Sequence, residues 1–233
     1  MPNPTPLILV PGLLCSARLY APQIMALWPQ GPVTVADHRR DDSMEAIARR
    51  ILADAPPRFA LAGLSMGGYI AFAMLRIAPE RIVKLALLDT SARPDTPEQT
   101  ATRQKFVALA QAGKLNDVVE TLTPRFLSKA HAKDETLVRT VREMAQDTGV
   151  EAFVRQQRAI MNRPDARGEL GKIKCPTLVL VGDSDELTPP VLAQEIAAGI
   201  AGARLVTVTN CGHLSTIEQP AAVNAAMSEW LGG

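Results

Sequence analysis

The sequence predicts an α/β protein: about six mostly parallel strands in one sheet, flanked by helices, with a helical insertion between the fourth and fifth strands. Three observations carry this reading. Short apolar runs alternate with helix-length stretches from Leu7 to Leu88, and again from Thr177 to the end. The runs are apolar throughout rather than at every second residue, the pattern of strands buried on both faces and so of a parallel sheet with helices on each side. Between about Ala92 and Lys172 that rhythm stops, and apolar residues recur at helical spacing instead.

Taken in order, Leu7 to Val10 is the first strand, ending at Pro11-Gly12-Leu13-Leu14. Tyr20 to Trp28 reads as a helix with Pro22 in its first turn. Val33 to Ala36 is the second strand, followed by the polar turn Asp37-His38-Arg39-Arg40-Asp41-Asp42. Ser43 is the N-cap of a helix reaching about Asp54, which Pro56-Pro57 stops. Phe59 to Ala62 is the third strand; it breaks into Gly63-Leu64-Ser65-Met66-Gly67 and passes into a helical run, Tyr69 to Ala78. Ile82 to Leu88 is the fourth strand, ending in Asp89-Thr90-Ser91. In the insertion, Leu115, Val118, Val119, Leu122 and Phe126 mark one helical stretch, Leu137, Val141, Met144 and Ala145 a second, and Phe153, Val154, Ile160 and Met161 a third, with Pro94, Pro97, Pro124, Gly149 and Pro164 as punctuation. Thr177 to Val181 is the fifth strand, after which Thr188 is placed to cap a helix that begins with Pro189-Pro190. Leu205 to Val208 is the sixth strand, and a helix from about Pro220 to Leu231 follows.

Composition narrows the function. The chain has 233 residues, 47% of them hydrophobic, which suits one large domain with a substantial core. A net charge of +1 gives no basic face for nucleic acid, and the pairs Arg39-Arg40 and Arg49-Arg50 read as solvated surface. Three cysteines, Cys15, Cys175 and Cys211, are too few and too uneven for a disulfide framework and point to a reducing compartment. Met1 to Pro6 has no leader pattern, and no apolar run approaches the roughly 20 residues of a membrane span. The expectation is a cytoplasmic protein with a small-molecule partner, no metal and no organic cofactor.

The chemistry centres on Ser65. A serine on a tight strand-to-helix turn needs small neighbours, which Gly63 and Gly67 supply, and its oxygen then stands at the end of the strand beside a helix N-terminus. A serine hydroxyl needs a base, and the base needs a partner that fixes its tautomer. His213 follows the last strand and returns to the same rim; His38 reads as solvated and His131 as surface. For the acid, Asp185 follows the fifth strand, with Asp183 as its nearest competitor and Asp89 as a second. The backbone N–H groups of Leu13 and Met66 are the expected donors to an oxyanion. Cys15 and Cys211 fall near this rim and read as buried thiols.

These residues resemble the α/β-hydrolase superfamily over essentially the whole chain. The resemblance rests on Pro11-Gly12-Leu13, on Asp37-His38-Arg39-Arg40 with Ser43, on Gly63-Leu64-Ser65-Met66-Gly67-Gly68, on Gly182-x-x-Asp185-x-x-Thr188-Pro189, and on Gly212-His213. It implies a reduced form of that fold, lacking the usual first hairpin, with a core of residues 1–91 and 173–233 and a helical cap of residues 92–172. Its Gly-x-x-Asp spacing favours Asp185 over Asp183. Pro11 stands where many members have histidine, so that side chain adds nothing to the oxyanion turn. Ser65 separates the chain from relatives that use an aspartate nucleophile. The implied function is a serine hydrolase for a small ester or lactone, with Ser65, His213 and Asp185 as catalytic residues. Phe106, Phe126, Phe153 and Met161 are apolar candidates for the pocket. A C–C hydrolase of meta-cleavage type is the alternative, with Arg125, Arg155 or Arg158 facing a substrate carboxylate; a small-molecule receptor is the non-enzymatic one.

Overall fold

Each predicted apolar run forms a strand. In the computed structural model, which describes residues 4–233, they are β1 (Leu7–Val10), β2 (Val33–Val35), β3 (Phe59–Leu64), β4 (Ile82–Leu88), β5 (Thr177–Gly182) and β6 (Arg204–Val208). Residues 1–3, on which part of the leaderless reading falls, lie outside the described residues. All neighbouring strands are parallel, in the order β2-β1-β3-β4-β5-β6. The strand order reverses between β1 and β3. A parallel sheet opens a crevice beyond the strand C-termini at such a switch point, and Leu13 and Ser65 lie there.

Helices cover both faces. They are α1 (Ala21–Leu27), α2 (Met44–Asp54), α3 (Met66–Ile77), α4 (Pro97–Gln111), α5 (Leu115–Phe126), α6 (Glu135–Met161), α7 (Pro190–Gly199), α8 (Ser215–Glu218) and α9 (Pro220–Gly232). Successive strand residues point to opposite faces. Leu7, Leu9, Ala62, Leu88 and Leu180 pack against α1, α9 and the inserted helices, whereas Ile8, Leu61, Leu87 and Val179 pack against α2, α3 and α7. The Ser43 hydroxyl accepts the Ala46 N–H at 3.2 Å and caps α2 as expected.

Three local expectations are corrected. The edge strands β2 and β6 are partly exposed rather than buried on both faces, because no strand flanks their outer sides. The helix expected over Tyr20 to Trp28 is α1 between two 3-10 turns, Ala17–Tyr20 and Trp28–Gln30. Thr188 does not cap α7, whose Pro189 N-cap has no side-chain hydrogen bond; its hydroxyl is drawn instead to the buried Asp185 carboxylate.

Between β4 and β5 the chain is helical, as expected, with α6 broken at Gly149 (φ 73°, ψ 169°). The excursion closes where it opened, since the Ala166 N–H donates to the Ala92 carbonyl at 2.8 Å. No helix among the described residues is long and apolar enough to cross a membrane.

Backbone crowding fixes two glycines. A Cβ on Gly67 would overlap the Val10 carbonyl oxygen, and one on Gly63 would overlap the Gly67 carbonyl oxygen. Gly67→Ala is therefore expected to destabilise the fold by about 2 kcal/mol or more, through β1–α3 separation. Gly168→Ala, with nothing within 4 Å of the new methyl, should stay within about 0.5 kcal/mol of wild type. Urea unfolding of both variants checks the contrast.

Candidate active site

The turn after β3 holds Ser65 at φ 55° and ψ −114°, a conformation that L-residues rarely adopt. Its backbone is pinned on both sides. Ser65 N–H donates to the Leu88 carbonyl at 2.9 Å, and the Thr90 hydroxyl donates to the Ser65 carbonyl at 2.7 Å. The hydroxyl is thereby turned to the crevice, where it donates to His213 Nε2 at 2.9 Å.

His213 sits in the loop between β6 and α8. Its backbone N–H and that of Leu214 both donate to the Phe126 carbonyl, at 3.0 and 3.1 Å, and the Phe126 ring lies parallel to the imidazole within 6.2 Å. Its Nδ1–H donates to Asp185 Oδ2 at 2.8 Å, leaving Nε2 as the acceptor for Ser65. Asp185 is itself fixed by the N–H groups of Leu187 and Thr188, at 2.8 and 2.9 Å, and by the Thr188 hydroxyl at 2.7 Å. Burial of Asp185 opposes its ionisation, but His213 and the Thr188 donors outweigh it and hold the carboxyl below its ordinary value. Burial likewise lowers the His213 pKa; the Asp185 charge and hydrogen bond reverse this and leave it raised.

The competing carboxylates serve other atoms. Asp183 accepts the N–H groups of Asn210 and Cys211, at 3.0 and 3.1 Å, and so holds the loop before His213. Asp89 accepts the Gly182 N–H at 2.9 Å and the Ser215 hydroxyl, and its burial raises its pKa well above the ordinary carboxyl value. Glu218, buried at the end of α8, accepts the N–H groups of Ser128 and Gly212, at 2.8 and 3.0 Å, and lies 3.1 Å from His131 Nδ1. His131 is thus partly buried rather than a surface residue.

The reading of His38 as solvated is overturned. It is 2% exposed and stands 2.9 Å from the Gly12 carbonyl and 3.0 Å from Gln156 Nε2. Gln156 Oε1 accepts the Leu14 N–H at 3.1 Å, so α6 and the turn after β2 together clamp the Gly12-Leu13-Leu14 turn. A polar turn composition cannot reveal a histidine folded inward under a helix from far along the chain. The N–H groups of Leu13 and Met66 have no acceptor among the described residues.

Ser65 and His213 open on a cavity of about 400 Å³ between the sheet rim and the inserted helices. Phe106, Phe126 and Arg125 line it. Phe153 is fully buried in the core, Met161 is not in the cavity wall, Arg155 donates to the Arg39 carbonyl at 2.9 Å and Arg158 faces Asp42. Three arginines that sequence reasoning missed, Arg93, Arg103 and Arg163, do line it. Cys15 and Cys211 are buried as expected, and burial pushes the Cys15 thiol up to about 12. No group of three or more His, Cys, Asp or Glu among the described residues is placed to hold a metal.

A serine turn at the switch point of a parallel sheet, facing a histidine from the loop after the last strand, defines an α/β-hydrolase architecture. Residues 7–226 match the alpha/beta hydrolase family, and the chain belongs to it. A thermophilic esterase from Thermogutta terrifontis, solved with malate bound, superposes with a TM-score of 0.90 at 29% identity, over 99% of this chain and 90% of that one. The enol-lactonase from Burkholderia xenovorans LB400 gives the same TM-score at 26% identity, over 99% and 92%. In sequence, a pimeloyl-[acyl-carrier protein] methyl ester esterase from Neisseria meningitidis is 25% identical over 223 residues, covering 91% of this chain and 86% of that protein.

The two buried histidines should titrate on opposite sides of the ordinary histidine value. In an NMR pH titration, His213 is expected to protonate above the ordinary histidine value of about 6.5 and His38 only near about 4. Asp185→Asn should lower the His213 value, since the largest charge opposing burial is then lost.

Proposed function

We propose that the protein is a serine hydrolase acting on a small carboxylic ester or lactone through an acyl-enzyme. The observation that supports this most is the continuous hydrogen-bonded line from Ser65 through His213 to Asp185 at the wall of a cavity. Family membership supports hydrolysis, and relatives named as an esterase, an enol-lactonase and a methyl ester esterase favour ester and lactone chemistry over C–C cleavage.

In this mechanism Ser65 Oγ attacks the substrate carbonyl while His213 Nε2 accepts its proton. Asp185 holds the imidazole in the tautomer with Nδ1 protonated and offsets the positive charge that forms. The tetrahedral oxyanion is received by the N–H groups of Leu13 and Met66; one such donor contributes roughly 10²–10³ in rate. His213 returns the proton to the leaving oxygen, and the ester C–O bond breaks. Water then attacks the acyl carbonyl with His213 again as base, and the acid is released from Ser65. Residues 92–172 act as a cap that walls the cavity. The setting is cytoplasmic, a reading supported by three unpaired cysteines.

Steady-state hydrolysis of a p-nitrophenyl ester series from acetate to decanoate, and of an enol-lactone, tests the proposal. Wild type should turn over short esters or the lactone, and Ser65→Ala should lose at least about 10³-fold in kcat. Retained turnover in Ser65→Ala would sink the mechanism.

The reaction needs neutral His213, so kcat/KM is expected to fall as the pH drops through the raised His213 value, above about 6.5. Asp185→Asn should cut kcat by about 10⁴-fold and move that acid limb downward; a limb that stays in place would assign it to another group.

A further inference from the structure

We infer that the substrate carries a free carboxylate, held at the cavity wall by Arg103, Arg163 and Gln157; this rests on the ester-hydrolase reading above and names its substrate class.

The charge balance of that wall leads to an anion. Asp95, whose side chain is 1% exposed, is shared by two guanidiniums, Arg103 Nε at 2.6 Å and Arg163 Nη1 at 2.7 Å. These arginine side chains are only 21% and 6% exposed. A one-to-one pair would be neutral; two cations on one carboxylate leave a net positive unit. Arg163 is otherwise held by neutral groups, the carbonyls of Arg93 and Ile160 and the face of the Tyr69 ring at 4.2 Å. They fix its direction without cancelling its charge. Desolvating an uncompensated cation is costly, so such a unit calls for an anion.

An unused donor stands beside it. Gln157 is 1% exposed; its Oε1 accepts from Arg103 Nη1 at 3.0 Å, and its Nε2 has no protein partner. Buried amide donors are rarely left unpaired. Gln157, Arg103 and Arg163 all line the cavity that Ser65 opens on. Arg125 lines it too and has no carboxylate partner among the described residues. Of the other charged groups on that wall, Arg93 is neutralised by Glu195 at 2.9 Å, and Glu98 is exposed.

Placement puts both ends of the substrate in one cavity. Ser65, Arg103 and Arg163 all line it, and Tyr69, whose ring carries the Arg163 guanidinium, lies on the helix that begins at the Ser65 turn. An ester carbonyl at Ser65 and a carboxylate at the arginines then belong to one small molecule, for which a glutarate half ester is the probe. Planar guanidiniums suit a carboxylate bound through two parallel N–H···O contacts. Hydrolysis of such a half ester adds water across the ester C–O bond and releases a dicarboxylate and the alcohol.

Equilibrium binding separates this inference from the reaction. Monomethyl glutarate and dimethyl glutarate would be titrated by calorimetry into Ser65→Ala protein, which removes turnover. The half ester is expected to bind about 10-fold or more tightly than the diester. Adding Arg103→Met should bring that preference close to unity. Gln157→Leu, which changes no charge, should reduce it several-fold, and circular dichroism would confirm that each variant is folded. Equal or tighter binding of the diester, no binding of either ligand at millimolar concentration, or a preference that survives Arg103→Met would overturn the inference. If wild type fails to hydrolyse esters while Ser65→Ala prefers the half ester, the hydrolase reading fails and the anion site stands. If wild type hydrolyses neutral esters through Ser65 and the half ester has no advantage, the anion site alone fails.

Discussion

The rest of the structure depends on one backbone constraint, the contact between the turn after β3 and the end of β1. Gly67 lies so close to the Val10 carbonyl that no side chain fits between them. That approach brings the start of α3 against the β1 terminus, and Ser65 is left in a positive-φ conformation with its hydroxyl outward. Strain of this kind costs on the order of 1–3 kcal/mol. Here it is offset by hydrogen bonds from Ser65 N–H to Leu88 and from Thr90 to the Ser65 carbonyl. Because the contact joins β1 to β3, it also sets the distance between the Leu13 turn and Ser65.

The inserted helices do more than form a wall. Gln156 in α6 takes the Leu14 N–H, and the last carbonyl of α5, at Phe126, takes the N–H groups of both His213 and Leu214. The turn after β1 and the loop after β6, far apart in sequence, are thus held by groups that come from neither. Glu218 adds a third tie, receiving Ser128 beyond α5 and Gly212 before His213 on one buried carboxylate.

The parts of this fold legible in the sequence are those governed by local physics. Strand runs buried on both faces are almost wholly apolar, so β1, β3, β4 and β5 stand out, with Lys84 of β4 the one charged residue among them. Ser65 was legible because the glycines around it serve a steric need within the same short turn. Strand ends placed Ser65, His213 and three candidate acids on one rim, and the Gly-x-x-Asp spacing of the family resemblance favoured Asp185 among them. What escaped were side chains whose meaning depends on a distant partner. Thr188 looked like a helix cap because a threonine before proline usually is one, whereas a buried carboxylate three residues earlier captures it. His38 sits among charged residues yet turns inward to Gly12 and Gln156. Arg103 and Arg163 follow no motif, and only the folded chain gathers them around Asp95.

The Ala166–Ala92 hydrogen bond gives the insertion an unusual standing. Its two ends meet at a single point beside β4, so the sheet registers only that the excursion closes, not how long it is; closure entropy changes slowly with length. The segment is modular in topology. Its content is not interchangeable, because Gln156 and Phe126 are structural members of the loops they hold. A replacement that restored the closure but lacked those two residues would release the histidine loop and the Leu13 turn. Diversification of this chain would therefore run through substitutions inside the existing helices more readily than through exchange of the whole segment.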